Sequence, residues 1–271
     1  MASAPPDVLG ARTDTLGARL GSGVVLAIIA IAGAVIGGWV FTLLIAALGM
    51  LMAYEWDRLC GGPACGPFGT MHAAAIAGAC VATHTDRLIP AAILVAAVAV
   101  LTMILARGRG RDPRWLVSGL LYISIPGICA VWVRGDEEWG RLAILGLFAV
   151  IWSTDTGAYF AGKTIGGPKL APSISPGKTW AGLVGGVAAA TVAALLVGQL
   201  ADLQPLWVIA LAGALLSLVG QIGDLGKSKV KRHFGVKDSG TLIPGHGGII
   251  DRLDSTLATL PLLAIALLLW V

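Results

Sequence analysis

Nine apolar runs make up most of the chain: Leu20–Gly37, Trp39–Trp56, Thr70–Thr83, Leu88–Ala106, Trp115–Val133, Leu142–Tyr159, Trp180–Leu200, Leu206–Ile222 and Leu257–Val271. A helix crossing the hydrocarbon layer needs about 20 such residues, within a range of about 17–25. Thr70–Thr83 is short for a span and carries His72. In lipid a backbone must satisfy its own hydrogen bonds, which helices do. The expected fold is therefore an all-α polytopic integral membrane protein with about nine transmembrane helices. Only 13% of the 271 residues are charged, against about 25% in a soluble domain. Thirty-eight glycines suit close helix–helix approach in a membrane. No strand pattern, soluble domain or internal repeat is visible.

Charge sets the expected orientation. With a cytoplasmic N-terminus, sixteen of the 19 Lys and Arg fall on the inner side, leaving Arg87, Arg134 and Arg141 outside. The positive-inside rule favours that arrangement. The net charge of +4 is spread over many loops, so nucleic acid is not an expected partner. The basic loop Arg107–Arg114 is explained by attraction to anionic lipid, and the acidic loop 136–138 is read as solvated. Ala32-Gly-Ala34 is a weak cleavage-like site followed at once by another apolar run, so the first span is read as uncleaved. Cys60, Cys65, Cys80 and Cys129 lack metal-ligand spacing and read as buried thiols, although Cys60 and Cys65 flank a short Gly-Pro turn and could pair in an oxidising compartment. His72 and His84 read as packing residues.

One stretch breaks the apolar pattern. Residues 221–255 hold four Asp, three Ser, six Lys or Arg and two His. If the eighth helix continues past the apolar run to Phe234, Asp224, Ser228, Lys231 and Arg232 fall on one stripe, and Gly235 is a natural stop. Lys227 and Lys229 are expected to snorkel to the interface. Pro244-Gly-His-Gly-Gly248 leads into a helix start with Asp251, Asp254 and Ser255 on one face. A Gly-rich backbone beside a helix N-terminus suits phosphate; a dipole-complementing role competes, more for Asp254 than for Asp251. His246, between glycines, is equally a phosphate contact or a turn residue. Asp155 lies at the inner end of the sixth span, and an intramembrane acid defaults to function. Ser175 and Lys178 lie in the loop that enters the seventh span; Ser175 or Thr179 could cap that helix, and Lys178 could hold phosphate. Carboxylates without a Cys/His cluster suit Mg²⁺ or another divalent cation, which takes one or two carboxylates plus phosphate oxygens. Lys178, Lys231, Arg232, Lys237 and Arg252 would neutralise further phosphate charge. This kit fits phosphoryl or nucleotidyl transfer.

Residues 228–254, with Ser228, Lys231-Arg232, Lys237-Asp238, His246-Gly-Gly248 and Asp251-Arg-Leu-Asp254, resemble the signature of the phosphatidate cytidylyltransferase (CDP-diglyceride synthase) family, with every fixed position filled. Asp155-Thr-Gly-Ala-Tyr-Phe160 and Ser175-Pro-Gly-Lys-Thr-Trp180 resemble that family's other motifs. The resemblance implies that CTP and phosphatidate yield CDP-diacylglycerol and pyrophosphate, with a divalent cation. It implies Asp224 and Asp251 as metal ligands. It implies Lys231, with Asp155, in catalysis, and Ser175, Lys178, Ser228, Arg232, Lys237, Asp238, His246, Gly247, Gly248 and Arg252 in substrate binding. It suggests a homodimer and a bacterial inner membrane with a cytoplasmic site. The chain then divides into a polar tail (1–19), N-terminal membrane helices (20–137) and C-terminal catalytic helices with cytoplasmic loops (138–271). Two positions depart from the family pattern: Ala181 and Lys227 stand where many members have Glu. The rivals are a CTP-dependent polyprenol or lipid kinase and, from another class, a transporter, whose ionisable groups would gather near mid-membrane.

Overall fold

A computed structural model describes residues 16–63, 65–240 and 247–270; His246 and the polar tail up to residue 15 lie outside them. Nine helices run among the described residues. They are α1 (Leu16–Ile36), α2 (Gly38–Leu59), α3 (Pro67–His84), α4 (Leu88–Arg107), α5 (Pro113–Gly135), α6 (Gly140–Thr164), α7 (Trp180–Leu200), α8 (Leu206–His233) and α9 (Ile250–Trp270). Seven of them, α2 and α4 to α9, are long and apolar enough to cross a membrane. The chain is thus an all-α polytopic membrane protein, with one exception to the expected absence of strands. β1 (Lys169–Ala171) and β2 (Ser175–Thr179) pair antiparallel, with Lys169 opposite Thr179 and Ala171 opposite Ser175. Pairs this short, rich in Pro, Ser and Gly, carry no period-two hydrophobic signal, so sequence alone does not reveal them.

Two boundaries differ usefully from the apolar runs. α8 continues about three turns past residue 222, as the stripe required, and stops where Gly235 takes a left-handed φ of 69°. The amides of Gly235 and Val236 return to the carbonyls of Arg232 and Lys231, closing the helix end. α9 begins at Ile250, seven residues before its apolar run.

Small residues set the packing. A Cβ on Gly157 of α6 would lie 2.5 Å from Ala189 Cβ and 2.7 Å from Gly185 O on α7, and one on Gly185 would lie 2.3 Å from Ala161 Cβ. Gly213 meets Ala194 where α8 crosses α7, and Gly223 meets Ala258 where α8 crosses α9. Such stripes let backbones touch where lipid offers no hydrophobic drive for association. A buried polar link joins three helices: Thr154 Oγ1 donates to Ser217 Oγ (3.0 Å), and Gln221 Nε2 donates to Ser217 Oγ and Leu183 O (3.3 Å each).

Polar contacts sort the helix ends into two groups. At one end Asp57 (α2) pairs with Arg111 before α5 at 2.8 Å and accepts from Gly69 N of α3. There too Trp115 (α5) stacks on His233 (α8) at 4.7 Å. At the other end Arg134 (α5) donates to Ala34 O and Val35 O of α1, and Thr42 (α2) bonds His84 (α3) at 3.0 Å. Both of these histidines pack as expected, His72 Nε2 lying 2.9 Å from Thr102 Oγ1. The four cysteines are free.

Candidate active site

The first end is where the acids gather. Asp155 (α6), Asp224 (α8), Asp251 and Asp254 (α9) all line one cavity of about 670 Å³. Arg252, Ser255 and Thr256 line it beside the acids, and its other walls are apolar, with Leu26 and Ala30 from α1, Leu48 and Met52 from α2, Ile123 from α5 and Phe148 from α6. The N-terminal helices therefore help to build the site.

Asp224 leaves the apolar part of α8 half-buried and forms an ion pair with Lys178 Nζ of β2. The hairpin thus aims Lys178 across to α8. Thr179 ends β2 and caps α7, its Oγ1 accepting from Gly182 N at 3.0 Å. The cap is Thr179, and Ser175 sits at the start of β2. Asp224 also lies within hydrogen-bonding reach of Asp254 and close enough to Asp155 to repel it. Carboxylates packed this closely are relieved by a cation or by a shared proton.

Asp251 sits in the first turn of α9 and is the most engaged acid. Its Oδ1 lies 2.8 Å from Lys231 Nζ and 2.9 Å from Lys227 Nζ. Its Oδ2 accepts from Ser239 N (2.8 Å), Ser239 Oγ (2.9 Å) and Gly248 N (3.2 Å). One carboxylate therefore fixes the loop, the helix start and two lysines of α8. Gly247 (φ 79°) and the buried Gly248 are needed at this turn: a Cβ on Gly248 would lie 2.3 Å from Ser239 Oγ and 2.7 Å from Glu55 Oε2.

Two residues packed at the site were misread or missed in the sequence. The side chain of Lys227 is only 3% exposed and reaches Asp251 and, at 3.8 Å, Asp254. It does not snorkel, because position 227 lies three residues after Asp224 on the face turned to α9; helix phase held that signal. Lys229, on the opposite face, is exposed as expected. Glu55 of α2 was missed. It is 2% exposed, and its oxygens accept from Ile249 N (2.8 Å) and Ile250 N (3.0 Å). A carboxylate from 195 residues away thus satisfies the first amides of α9, and no local pattern marks it.

The other expected residues spread around this centre. Ser228 is half-buried on α8, and Arg232, Lys237, Asp238 and Arg252 are exposed around the acids' end of α8 and α9. Asp238 packs beside Gly247. His246 lies outside the described residues.

The site fits a hard divalent cation in donor chemistry. It offers carboxylate oxygens, two of them adjacent in Asp224 and Asp254, and Mg²⁺ completes its shell from water and phosphate. Among the described residues no ready-made group of three or more His, Cys, Asp or Glu encloses a metal, and the remaining oxygens would come from substrate. Asp251, expected as the second ligand, would join only by giving up one of its present donors.

Comparison with known proteins agrees with this geometry. A family profile described as the cytidylyltransferase family matches residues 17–270. The chain is 43% identical over 232 residues to a protein of Brucella suis named phosphatidate cytidylyltransferase, covering 84% of each chain. The Brucella abortus protein of the same name matches to the same extent. A Staphylococcus saprophyticus protein, also so named, is 45% identical over 150 residues, covering 55% of this chain and 58% of its own. The profile runs from α1 to α9 and includes all four acids of the cavity, and the chain belongs to the cytidylyltransferase family.

Proposed function

We propose that the chain transfers the cytidylyl group of CTP to phosphatidate, giving CDP-diacylglycerol and pyrophosphate. The observation that carries this is the cavity itself. Four acids and Arg252 line one end, Lys178 and Lys231 pair with two of those acids, and an apolar trench formed by α1, α2, α5 and α6 continues from it. A phosphate headgroup with acyl chains matches that two-part wall, and a soluble substrate does not use the apolar part. Two relatives bearing the phosphatidate cytidylyltransferase name cover 84% of the chain.

In this reading phosphatidate enters sideways from the inner leaflet, and CTP comes from the cytosol. The chain crosses the membrane nine times with its N-terminus inside, since sixteen of 19 cations then face the cytoplasm. The bacterial source of the relatives supports placement in the inner membrane. A phosphatidate oxygen attacks the α-phosphorus of CTP, and pyrophosphate leaves. The lipid phosphate is already ionised at neutral pH, so no general base is required. Lys178 and Lys231 hold positive charge at the ends of Asp224 and Asp251, where phosphate oxygens would arrive. Ser175, Ser228, Arg232, Lys237, Asp238, Gly247, Gly248 and Arg252 supply further phosphate and nucleotide contacts, with Asp155 completing the acidic wall. A divalent ion bound on Asp224, with Asp254 beside it, would neutralise charge building on the transferred phosphorus. The preferred assembly is a homodimer.

The deciding experiment incubates purified protein with phosphatidate, CTP and Mg²⁺. Label in the α-phosphate should enter lipid; label entering from the γ-phosphate instead would establish a kinase. Asp224→Asn should abolish transfer while leaving expression intact.

A further inference from the structure

Lys227 has no part in the reaction as read so far, yet it occupies the most costly position of any cation in the described residues near the site. Its side chain is 3% exposed, against 25% for Lys178 and 18% for Lys231. It does not line the cavity. It stands behind the acids, 2.9 Å from Asp251 Oδ1 and 3.8 Å from Asp254 Oδ2, in ion-pair contact but without hydrogen-bond geometry to any acceptor. Burying an ammonium costs several kcal/mol that an aliphatic side chain of similar length would avoid. Packing alone therefore does not account for a lysine here. Geometry does: four aspartates converge on this cavity, and one positive charge touches two of them from the inner side.

We propose that Lys227 is a tethered counter-cation of the acidic centre, a positioning residue that does the electrostatic work of a second bound cation. It holds Asp251 and Asp254 at a fixed separation on α9 and fills their inner faces. Asp251 is then fully engaged, and the Asp254 carboxylate beside Asp224 is what remains for a single divalent ion. The proposal rests on the proposed transferase reading only for what that ion is used for; the charge arrangement stands without substrate.

The test counts ions on the full-length protein in detergent, with neither CTP nor lipid present, using Mn²⁺ and the electron-spin-resonance signal of the free ion. Wild type should bind a single Mn²⁺ per chain. Lys227→Ala, which removes the charge and leaves room for an ion, should bind a second Mn²⁺ or bind the first about tenfold tighter, because a unit charge this close to a site is worth at least that much. Lys227→Arg keeps the charge and should titrate like wild type. In the transfer assay Lys227→Ala should recover activity with added ammonium ion, which a lysine needed only for packing would not show. Two Mn²⁺ on wild type would overturn the proposal whether or not the variants fold. So would an alanine variant that binds Mn²⁺ within twofold of wild type at unchanged stoichiometry. Failure of lipid labelling with intact Mn²⁺ behaviour would instead count against the transferase reading alone.

Discussion

Glu55→Ala is the sharpest probe of how the site is held. The carboxylate accepts the amides of Ile249 and Ile250 at 2.8 and 3.0 Å, and all three residues are buried. Truncation leaves two donors at the start of α9 without a partner, at about 1–3 kcal/mol each. Removing a buried charge returns part of that cost, so a net loss of about 2–4 kcal/mol follows. For a chain of this length each kcal/mol moves the midpoint by about 2–4 °C, so thermal unfolding in detergent should shift down by roughly 4–16 °C. The local signature is stronger. Hydrogen exchange at Ile249 and Ile250 should accelerate at least about 30-fold, since about 1.4 kcal/mol is a factor of ten. Asp251 and Asp254 ride on the same turn, so transfer should fall with it. Glu55→Gln keeps one acceptor oxygen and should lie between the two. Unchanged exchange at both amides in Glu55→Ala would refute the argument that α2 caps α9.

Three further outcomes follow from the same geometry. Gly248→Ala should abolish transfer and lower stability, because its Cβ would sit 2.3 Å from Ser239 Oγ and 2.7 Å from Glu55 Oε2; a fluorescence-based unfolding assay beside the transfer assay checks both. Gly157→Val should loosen α6 from α7, where even a Cβ meets Gly185 O at 2.7 Å, at a cost of about 1–3 kcal/mol from overpacking, visible as a lower midpoint in the same assay. Chelation with EDTA should stop transfer, and Mg²⁺ or Mn²⁺ should restore it; full activity after exhaustive chelation would contradict a divalent requirement.

Much of the site was legible because its residues are chemically out of place. Asp155, Asp224 and Asp251 are acids at the ends of apolar runs, and Lys178 and Lys231 accompany them. Helix phase correctly carried α8 past its apolar run to a stop at Gly235. The same phase puts Lys227 on the face turned to α9, while its charge taken alone points to the interface. Glu55 was illegible for a different reason: an acid near the end of a membrane helix carries no sign of which backbone it will meet. The β1–β2 hairpin was hidden because three and five residues give periodicity too little length to act on.

By itself the sequence determined the solvent and the chemistry. Continuous apolar runs permit only helices in lipid, and the polar stretch at 221–255 confines the acids and lysines to helix ends. Tertiary structure alone decided the pairings: Lys178 with Asp224, Lys227 and Lys231 with Asp251, Asp254 with Asp224, and Glu55 with the first amides of α9. The physical reason is reach. Composition and periodicity act over a turn or a span, whereas an ion pair or hydrogen bond forms within about 4 Å between residues that the chain separates by as many as 195 positions, and only the crossing of glycine-lined helices brings them there.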